Sequence, residues 1–197
     1  MEIGVKYIFE QGEFDGYRSY SLDAACAPIM EQYQIQYKPT VFISHKHNDL
    51  NDLKGILGLL EQQFGAKVYI DSRDPSMPPI ISGETALRIK QRIDKCKKFI
   101  FLATNGAIES KWCNWELGYG DARKSEHKNI ALFPMKPKDG LDYQYKGTEY
   151  FSIYPHIVYS DGTECYDTGR PIEIGYYVRT VKDGKGYLQK LYNWLHD

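Results

Sequence analysis

The hydrophobic positions between residues 40 and 160 fall into five short apolar runs. Each run holds β-prone residues and ends in polar or turn-forming residues, which is typical of buried strands. The runs are TVFISH (40–45), AKVYID (66–71), KKFIFLAT (97–104), NIALFPM (129–135) and HIVYS (156–160). The third run is almost continuously apolar, which indicates burial on both faces, as in a parallel sheet. The pattern therefore predicts five strands.

Helical periodicity fills the intervals between these runs. Residues 50–64 place apolar side chains at steps of three and four, and Gly65 follows as a stop signal. A second amphipathic pattern covers 84–96, a third helix opens in SKWCNWELGYG (110–120), and a last helix is predicted over 187–196. Strands and helices alternate, so we predict the α/β class, with a flavodoxin-like, five-stranded, mainly parallel sheet flanked by helices.

The chain divides into an extension and a main domain. Residues 1–39 are aromatic and only weakly periodic, and we expect them to form an N-terminal extension packed on the main domain. The main domain is predicted over 40–197, with its core motifs in 40–160 and further loops and a helix in 161–197. Residues 136–186, rich in Lys, Asp, Gly and Tyr, are expected to form long loops around the fifth strand.

Composition narrows the class of partner and the compartment. The net charge is −1, so no basic face for nucleic acid is expected. The four cysteines are spread without a CxxC pair, which argues against a disulfide framework or a zinc site and favours a reducing compartment. The first ten residues lack the features of a signal peptide, and no apolar run approaches the roughly 20 residues that cross a bilayer. We predict a cytoplasmic protein with no membrane or nucleic-acid partner.

The topology predicts where a ligand would bind. In flavodoxin-like sheets the crevice lies between the carboxyl ends of the first and third strands. Here those ends carry SHKHND (44–49) and NGAIESKW (105–112), and the third helix begins at the second of them. Trp112 and Glu116 are four residues apart, so an indole and a carboxylate share one face of that helix near the crevice.

Chemistry excludes several other proteins of this architecture. The third strand ends without the acceptor aspartate of a receiver domain, and SHKHND is too bulky and charged for a flavin phosphate loop. Neither GxGxxG nor GxxxxGK[ST] is present. His45 and His47 lack a third ligand, so no metal site is predicted.

Three segments together resemble the Toll/interleukin-1 receptor (TIR) domain family. They are VFISHKHND (41–49), YIDSRDPSMPPIISGE (69–84) and SKWCNWEL (110–117), and the resemblance covers about residues 40–160. The W-x-x-x-E form is similar to that of enzymatic bacterial and plant members, which cleave NAD+ between nicotinamide and ribose. The resemblance implies that Glu116 is catalytic. It also implies TIR–TIR self-association and similarity to the signal-producing component of anti-phage systems such as Thoeris, whose product activates a separate effector protein.

The expected chemistry suits a single carboxylate. Breaking the N-glycosidic bond develops positive charge on the ribose, and nicotinamide leaves as a neutral molecule, so no general acid is required. Glu116 would stabilise the cationic ribose, and Trp112 would stack on the nicotinamide ring. The opposite wall of the crevice is assigned to Phe42, Ser44, His45 and Lys46. Lys46 would meet the diphosphate, and Asp71, at the end of the second strand, would line the cleft. NAD+ is the substrate in this scheme, with no resident cofactor or metal.

Three functions remain open at this stage. The first is a TIR enzyme that turns NAD+ into ADP-ribose or into a cyclic or conjugated signalling nucleotide. The second is an N-glycosidase similar to nucleoside deoxyribosyltransferases, which would act on deoxynucleosides and not on NAD+. The third is a non-catalytic adaptor acting by homotypic assembly, in which Glu116 would be dispensable and substitutions in 71–83 would abolish function.

Overall fold

Five parallel strands form the centre of the sheet, as the hydrophobic pattern predicts. The computed structural model describes residues 5–17, 38–70, 82–124, 128–137 and 145–197. Two short strands precede the predicted five; the strands are β1 (Val5–Lys6), β2 (Phe9–Glu10), β3 (Thr40–Ser44), β4 (Lys67–Tyr69), β5 (Lys98–Ala103), β6 (Ile130–Lys136) and β7 (His156–Ser160). The parallel strands follow the order β4-β3-β5-β6-β7. This is the flavodoxin-like order, so the predicted fold class is confirmed and the strand order reverses between β3 and β5.

Helices cover both faces of the sheet. They are α1 (Leu50–Gly58, continued by a π-helical turn Leu59–Gln63), α2 (Gly83–Lys95), α3 (Asn105–Glu109), α4 (Lys111–Lys124) and α5 (Leu191–His196). Successive strand residues point to opposite faces. Val41 and Ile43 accordingly pack with α1 and α5, whereas Phe42 packs with α2, α3 and α4. Gly120 lets α4 approach β5, because a Cβ there would lie 2.8 Å from Cδ2 of Phe99.

The region after β7 differs from the prediction. Residues Gly175–Lys182 form a strand, β8, and Lys185–Lys190 form β9. The prediction of loops is therefore wrong over 175–182 and 185–186, and the prediction of a helix is wrong over 187–190. Both strands are antiparallel and extend the sheet beyond β7. Asp183 and Gly184 have φ angles of 52° and 73°, the left-handed conformation of a two-residue hairpin turn. Asp-Gly is a standard sequence signal for that turn, and it outweighs the helical spacing of the residues that follow.

The described part of the N-terminal segment packs into the main domain. Strand β1 pairs with β7 and β2 pairs with β6. Phe9 and Phe14 are 0% and 2% exposed within the core. A Cβ on Gly55 of α1 would lie 2.4 Å from the carbonyl oxygen of Phe14, and one on Gly58 would lie 2.0 Å from that of Tyr17. The segment therefore lies directly on α1.

His156, at the start of β7, predicts a pH-dependent stability. Its ring is 1% exposed and stacks on Phe151 with ring centroids 4.3 Å apart. Burial, with a smaller contribution from Arg179, lowers the pKa of His156 to about 4. His156 therefore takes up a proton near pH 6.5 in the unfolded chain but only near pH 4 in the folded chain. The stability gained from the neutral ring is present above pH 6.5 and is lost as the pH falls towards 4, by up to about 3 kcal/mol.

The matching variant is His156→Phe, which keeps a ring and removes the proton site. Urea unfolding at pH 7 and pH 4.5 should show a smaller loss of stability on acidification in the variant than in the wild type. His47→Gln, at an exposed histidine, should behave like the wild type. An equal loss in His156→Phe and wild type would contradict the assignment.

Candidate active site

Ser44 and Glu116 meet at the point where the strand order reverses. Ser44 ends β3 and is fully buried, and Glu116 lies in α4 with 1% of its surface exposed. The Ser44 hydroxyl donates a hydrogen bond to Oε2 of Glu116 over 2.5 Å. A buried carboxylate is costly unless it is hydrogen-bonded, and a donor to the charged form is worth more than a neutral one. The contact therefore fixes both the position and the direction of this carboxylate.

Local hydrogen bonds set the start of α4. The side chain of Ser110 accepts a bond from the backbone N–H of Cys113 over 3.3 Å, as a helix cap does. Asn114 donates to the carbonyl oxygens of Ile108 and Ser110 over 2.7 and 2.9 Å. The thiol of Cys113 donates to the carbonyl oxygen of His45 over 3.4 Å. The bond from Cys113 ties the first turn of α4 to the loop after β3, beside Ser44.

A second buried contact crosses the crevice between the loops after β3 and β5. Thr104 Oγ1 donates to Oδ2 of Asp49 over 2.6 Å and accepts from the backbone N–H of Ala107 over 3.0 Å. Burial raises the pKa of Asp49, although the hydrogen bond from Thr104 opposes that shift. Sequence reasoning missed this pair; the available signal was Thr104 in the capping position before α3.

Lys46 reaches from the loop after β3 towards α3. A Cβ on Gly106 would lie 3.0 Å from Cδ and 3.4 Å from Nζ of Lys46, so the glycine leaves room for this side chain. The ammonium group thus lies beside the first turn of α3, on the crevice. Its contact with a substrate diphosphate stays a prediction.

Trp112 belongs to a row of aromatic side chains along α4. It is half-buried and stacks on Trp115 with centroids 4.9 Å apart, and Trp115 stacks on Tyr119 at 6.4 Å. The ammonium of Lys90 lies 5.6 Å from the Trp115 ring and 5.3 Å from the Tyr119 ring. One face of Trp112 is therefore taken by Trp115, and stacking on a ligand would use the other face.

The remaining predicted site residues have different surroundings. Phe42 is fully buried between Tyr69 and Phe99, with centroids 5.6 Å away on each side. Both faces of its ring are covered, so Phe42 belongs to the core beneath Ser44; this corrects the expectation that it forms the opposite wall. His45 is 6% exposed, and its Nδ1 lies 3.4 Å from the carbonyl oxygen of Ile43. Asp71 lies outside the described residues.

The described residues hold neither a cluster of metal ligands nor a membrane-spanning helix. In the ranges that the structure describes, no group of three or more His, Cys, Asp and Glu is arranged to hold a metal ion. The helices in those ranges are all too short or too polar to span a bilayer.

Comparison with known proteins gives one family and two curated relatives. The family model described as "TIR domain" matches residues 41–164. A protein of Bacillus cereus (strain MSX-D12), named "Probable 3' cyclic ADP-D-ribose synthase ThsB'", is 31% identical over 144 residues, which cover 70% of this chain and 72% of that protein. A protein of Cytobacillus dafuensis, named "Putative cyclic ADP-D-ribose synthase TIR2", is 30% identical over 95 residues, 46% of this chain and 25% of that protein.

Proposed function

Because the chain belongs to the TIR domain family, we propose that it is an NAD+-consuming enzyme that makes an ADP-ribose-derived signalling nucleotide in anti-phage immunity. The observation that carries the proposal is the buried contact between Ser44 and Glu116 at the switch point of the sheet. The names of both relatives, which describe cyclic ADP-D-ribose synthases, support the same reaction class.

The reaction breaks the bond between the ribose anomeric carbon and the nicotinamide nitrogen. The electron pair of that bond goes to the nitrogen, and nicotinamide leaves without needing a proton. The ribose carbon becomes cationic, and the carboxylate of Glu116 stabilises it electrostatically. Attack by water then gives ADP-ribose and a proton. Attack by a nucleophilic atom of the same nucleotide gives a cyclic product instead.

The other site residues take supporting roles in this scheme. Ser44 holds the carboxylate of Glu116. The face of Trp112 that Trp115 does not cover would receive the nicotinamide ring, whose positive charge favours an indole. Lys46, beside Gly106, meets the diphosphate. The substrate-binding roles of His45 and Asp71 stay predictions from the sequence.

Activity depends on exposure of Glu116 in this proposal. The described residues leave 1% of its surface accessible, so the side chains around it must open before the ribose reaches the carboxylate. Self-association between copies of the chain would supply such an opening. The nucleotide product then acts on a separate effector protein.

The proposal is tested by incubating the purified protein with NAD+ over a range of protein concentrations. Nicotinamide release should rise more steeply than the protein concentration if association opens the site. Chromatography and mass spectrometry should identify a cyclic or conjugated ADP-ribose. Free ADP-ribose alone would count against a messenger role, and cleavage of deoxynucleosides but not of NAD+ would overturn the reaction class.

Replacing Ser44 by alanine should lower the rate of nicotinamide release about 10- to 100-fold, because a hydrogen bond to a charged group is worth roughly 1.5–3 kcal/mol. The carboxylate of Glu116 remains in the variant but loses its fixed direction. The rate constant should fall more than the affinity for NAD+. Ser152→Ala, which removes a surface hydroxyl bonded to the carbonyl oxygen of Glu149, is the matched control. A wild-type rate in Ser44→Ala would remove Ser44 from the mechanism.

A further inference from the structure

Lys98 is buried at the opposite end of the sheet from the candidate active site. It is the first residue of β5 and is 2% exposed. Its ammonium group donates to Oδ1 of Asn129 over 2.5 Å and lies 4.8 Å from the ring centroid of Trp194 in α5. At a rise of about 3.3 Å per residue, Thr104, which follows the far end of β5, is roughly 20 Å away.

The charges around Lys98 are unbalanced. Among the described residues no carboxylate lies within ion-pairing distance of its ammonium group, and the partners are a neutral amide and an indole. The charged groups near it are Lys97, Lys128 and Asp197. A side-chain oxygen of Asp197 already accepts a hydrogen bond from Gln189. A buried cation with no carboxylate at ion-pairing distance is costly, so this position favours an anion.

A cavity of about 490 Å³ opens beside this cation. It is lined by Lys98, Lys128, Asn129, Gln189, Trp194 and Asp197. Lys98 and Trp194 are buried, whereas Lys128, Gln189 and Asp197 are exposed. The amide of Asn129 accepts from Lys98 through its oxygen, which leaves its N–H groups as donors. The volume lies within the usual range for small-molecule sites and exceeds what a single small oxyanion fills.

We propose that this cavity binds a small phosphate-bearing molecule, with its phosphate group between the ammonium groups of Lys98 and Lys128. The amide N–H groups of Asn129 supply further donors to the phosphate oxygens. Occupancy would tie α5 to the starts of β5 and β6, since Trp194 also donates to the carbonyl oxygen of Lys128 over 2.8 Å. The site is distinct from the Ser44–Glu116 contact and does not depend on the proposed reaction.

Binding at this site is linked to protonation of Lys98. Burial, with the charge of Lys97, lowers the pKa of Lys98 to about 8, and Asp197 opposes that shift. A bound phosphate favours the charged amine and raises the pKa again. Affinity is therefore higher at pH 7 than at pH 9, where the unliganded amine is mostly neutral.

The test uses inorganic phosphate and AMP as probes, with calorimetry and thermal unfolding at constant ionic strength in sodium chloride. Phosphate should bind the wild type and raise its melting temperature at pH 7, with weaker binding at pH 9. Lys98→Met, of similar length, should lose at least about 10-fold in affinity, the value of one hydrogen bond to a charged group. Lys95→Met in α2 is the matched control. Tighter binding of AMP than of phosphate would identify an organic phosphate as the occupant, and equal binding would identify the free ion.

A second measurement needs no variant. In wild-type protein labelled with 13C at the lysine ε-carbons, one lysine should titrate near pH 8 and move to higher pH when phosphate is added. The same phosphate affinity in Lys98→Met as in the wild type would overturn the proposal. The proposal would also be overturned if neither phosphate nor AMP raised the melting temperature above its value in sodium chloride alone. A lysine titration that phosphate leaves unchanged would overturn it too.

Discussion

Replacing Glu116 by glutamine is expected to lower nicotinamide release from NAD+ by at least about 10³-fold, the upper end of the loss seen when one charge-stabilising group is removed. Glutamine has nearly the same volume and can still accept the hydrogen bond that Ser44 donates. The variant loses only the negative charge that stabilises the cationic ribose. The loss should therefore appear in the rate constant, while the melting temperature stays close to that of the wild type.

Glu109→Gln is the matched control for this experiment. Glu109 ends α3, is exposed, and pairs with Lys146 over 2.8 Å at the surface, so the same chemical change there should leave the rate unaltered. Equal release by Glu116→Gln and wild type would show that another residue carries the reaction. Silence from both proteins, even at high concentration, would favour the adaptor function over the enzyme.

The largest expected effect on stability is that of Phe9→Ala, at about 3–5 kcal/mol. Phe9 is fully buried, and its ring lies 5.4 Å from that of Phe14, 5.0 Å from that of Phe133 and 6.2 Å from that of Tyr176. Truncation removes these contacts and leaves a cavity between the N-terminal segment and the sheet. Urea unfolding followed by circular dichroism measures the change in the free energy of unfolding.

Tyr187→Ala is the comparison for Phe9→Ala. Tyr187 lies in β9 and is 54% exposed, so removal of its ring should cost far less. A loss below about 1 kcal/mol in Phe9→Ala would mean that the N-terminal segment contributes little to the fold, because a typical surface change stays within about 0.5 kcal/mol. The family model begins at residue 41, so a large loss would place a necessary part of the core outside the matched region.

Periodicity was sufficient for the parallel sheet and for the neighbourhood of the site. The five apolar runs correspond to β3–β7, and the flavodoxin-like order places the ends of β3 and β5 side by side. That placement brings Ser44 near Glu116 across 72 residues of sequence. The inference worked because burial on both faces leaves a distinct apolar run for each strand.

The features that the sequence analysis predicted wrongly or did not predict each have a physical cause. The β8–β9 hairpin depends on the positive φ angles of Asp183 and Gly184, a turn signal that helical spacing in the next residues obscured. The Asp49–Thr104 bond joins side chains 55 residues apart, and such a pairing has no periodic trace in the sequence. The sequence analysis places Phe42 in the wall opposite Trp112, yet alternation along β3 puts its ring between two rings of the core.

The pairing of β1 with β7 and of β2 with β6 also affects how the protein is made. The ribosome synthesises Val5 long before its partner Ser160. Phe9 and Phe14 therefore lack their ring contacts with Phe133 until β6 has been made, and loop closure between distant strands is slow. We expect newly made protein to depend on chaperones that shield these two rings until β6 and β7 are available.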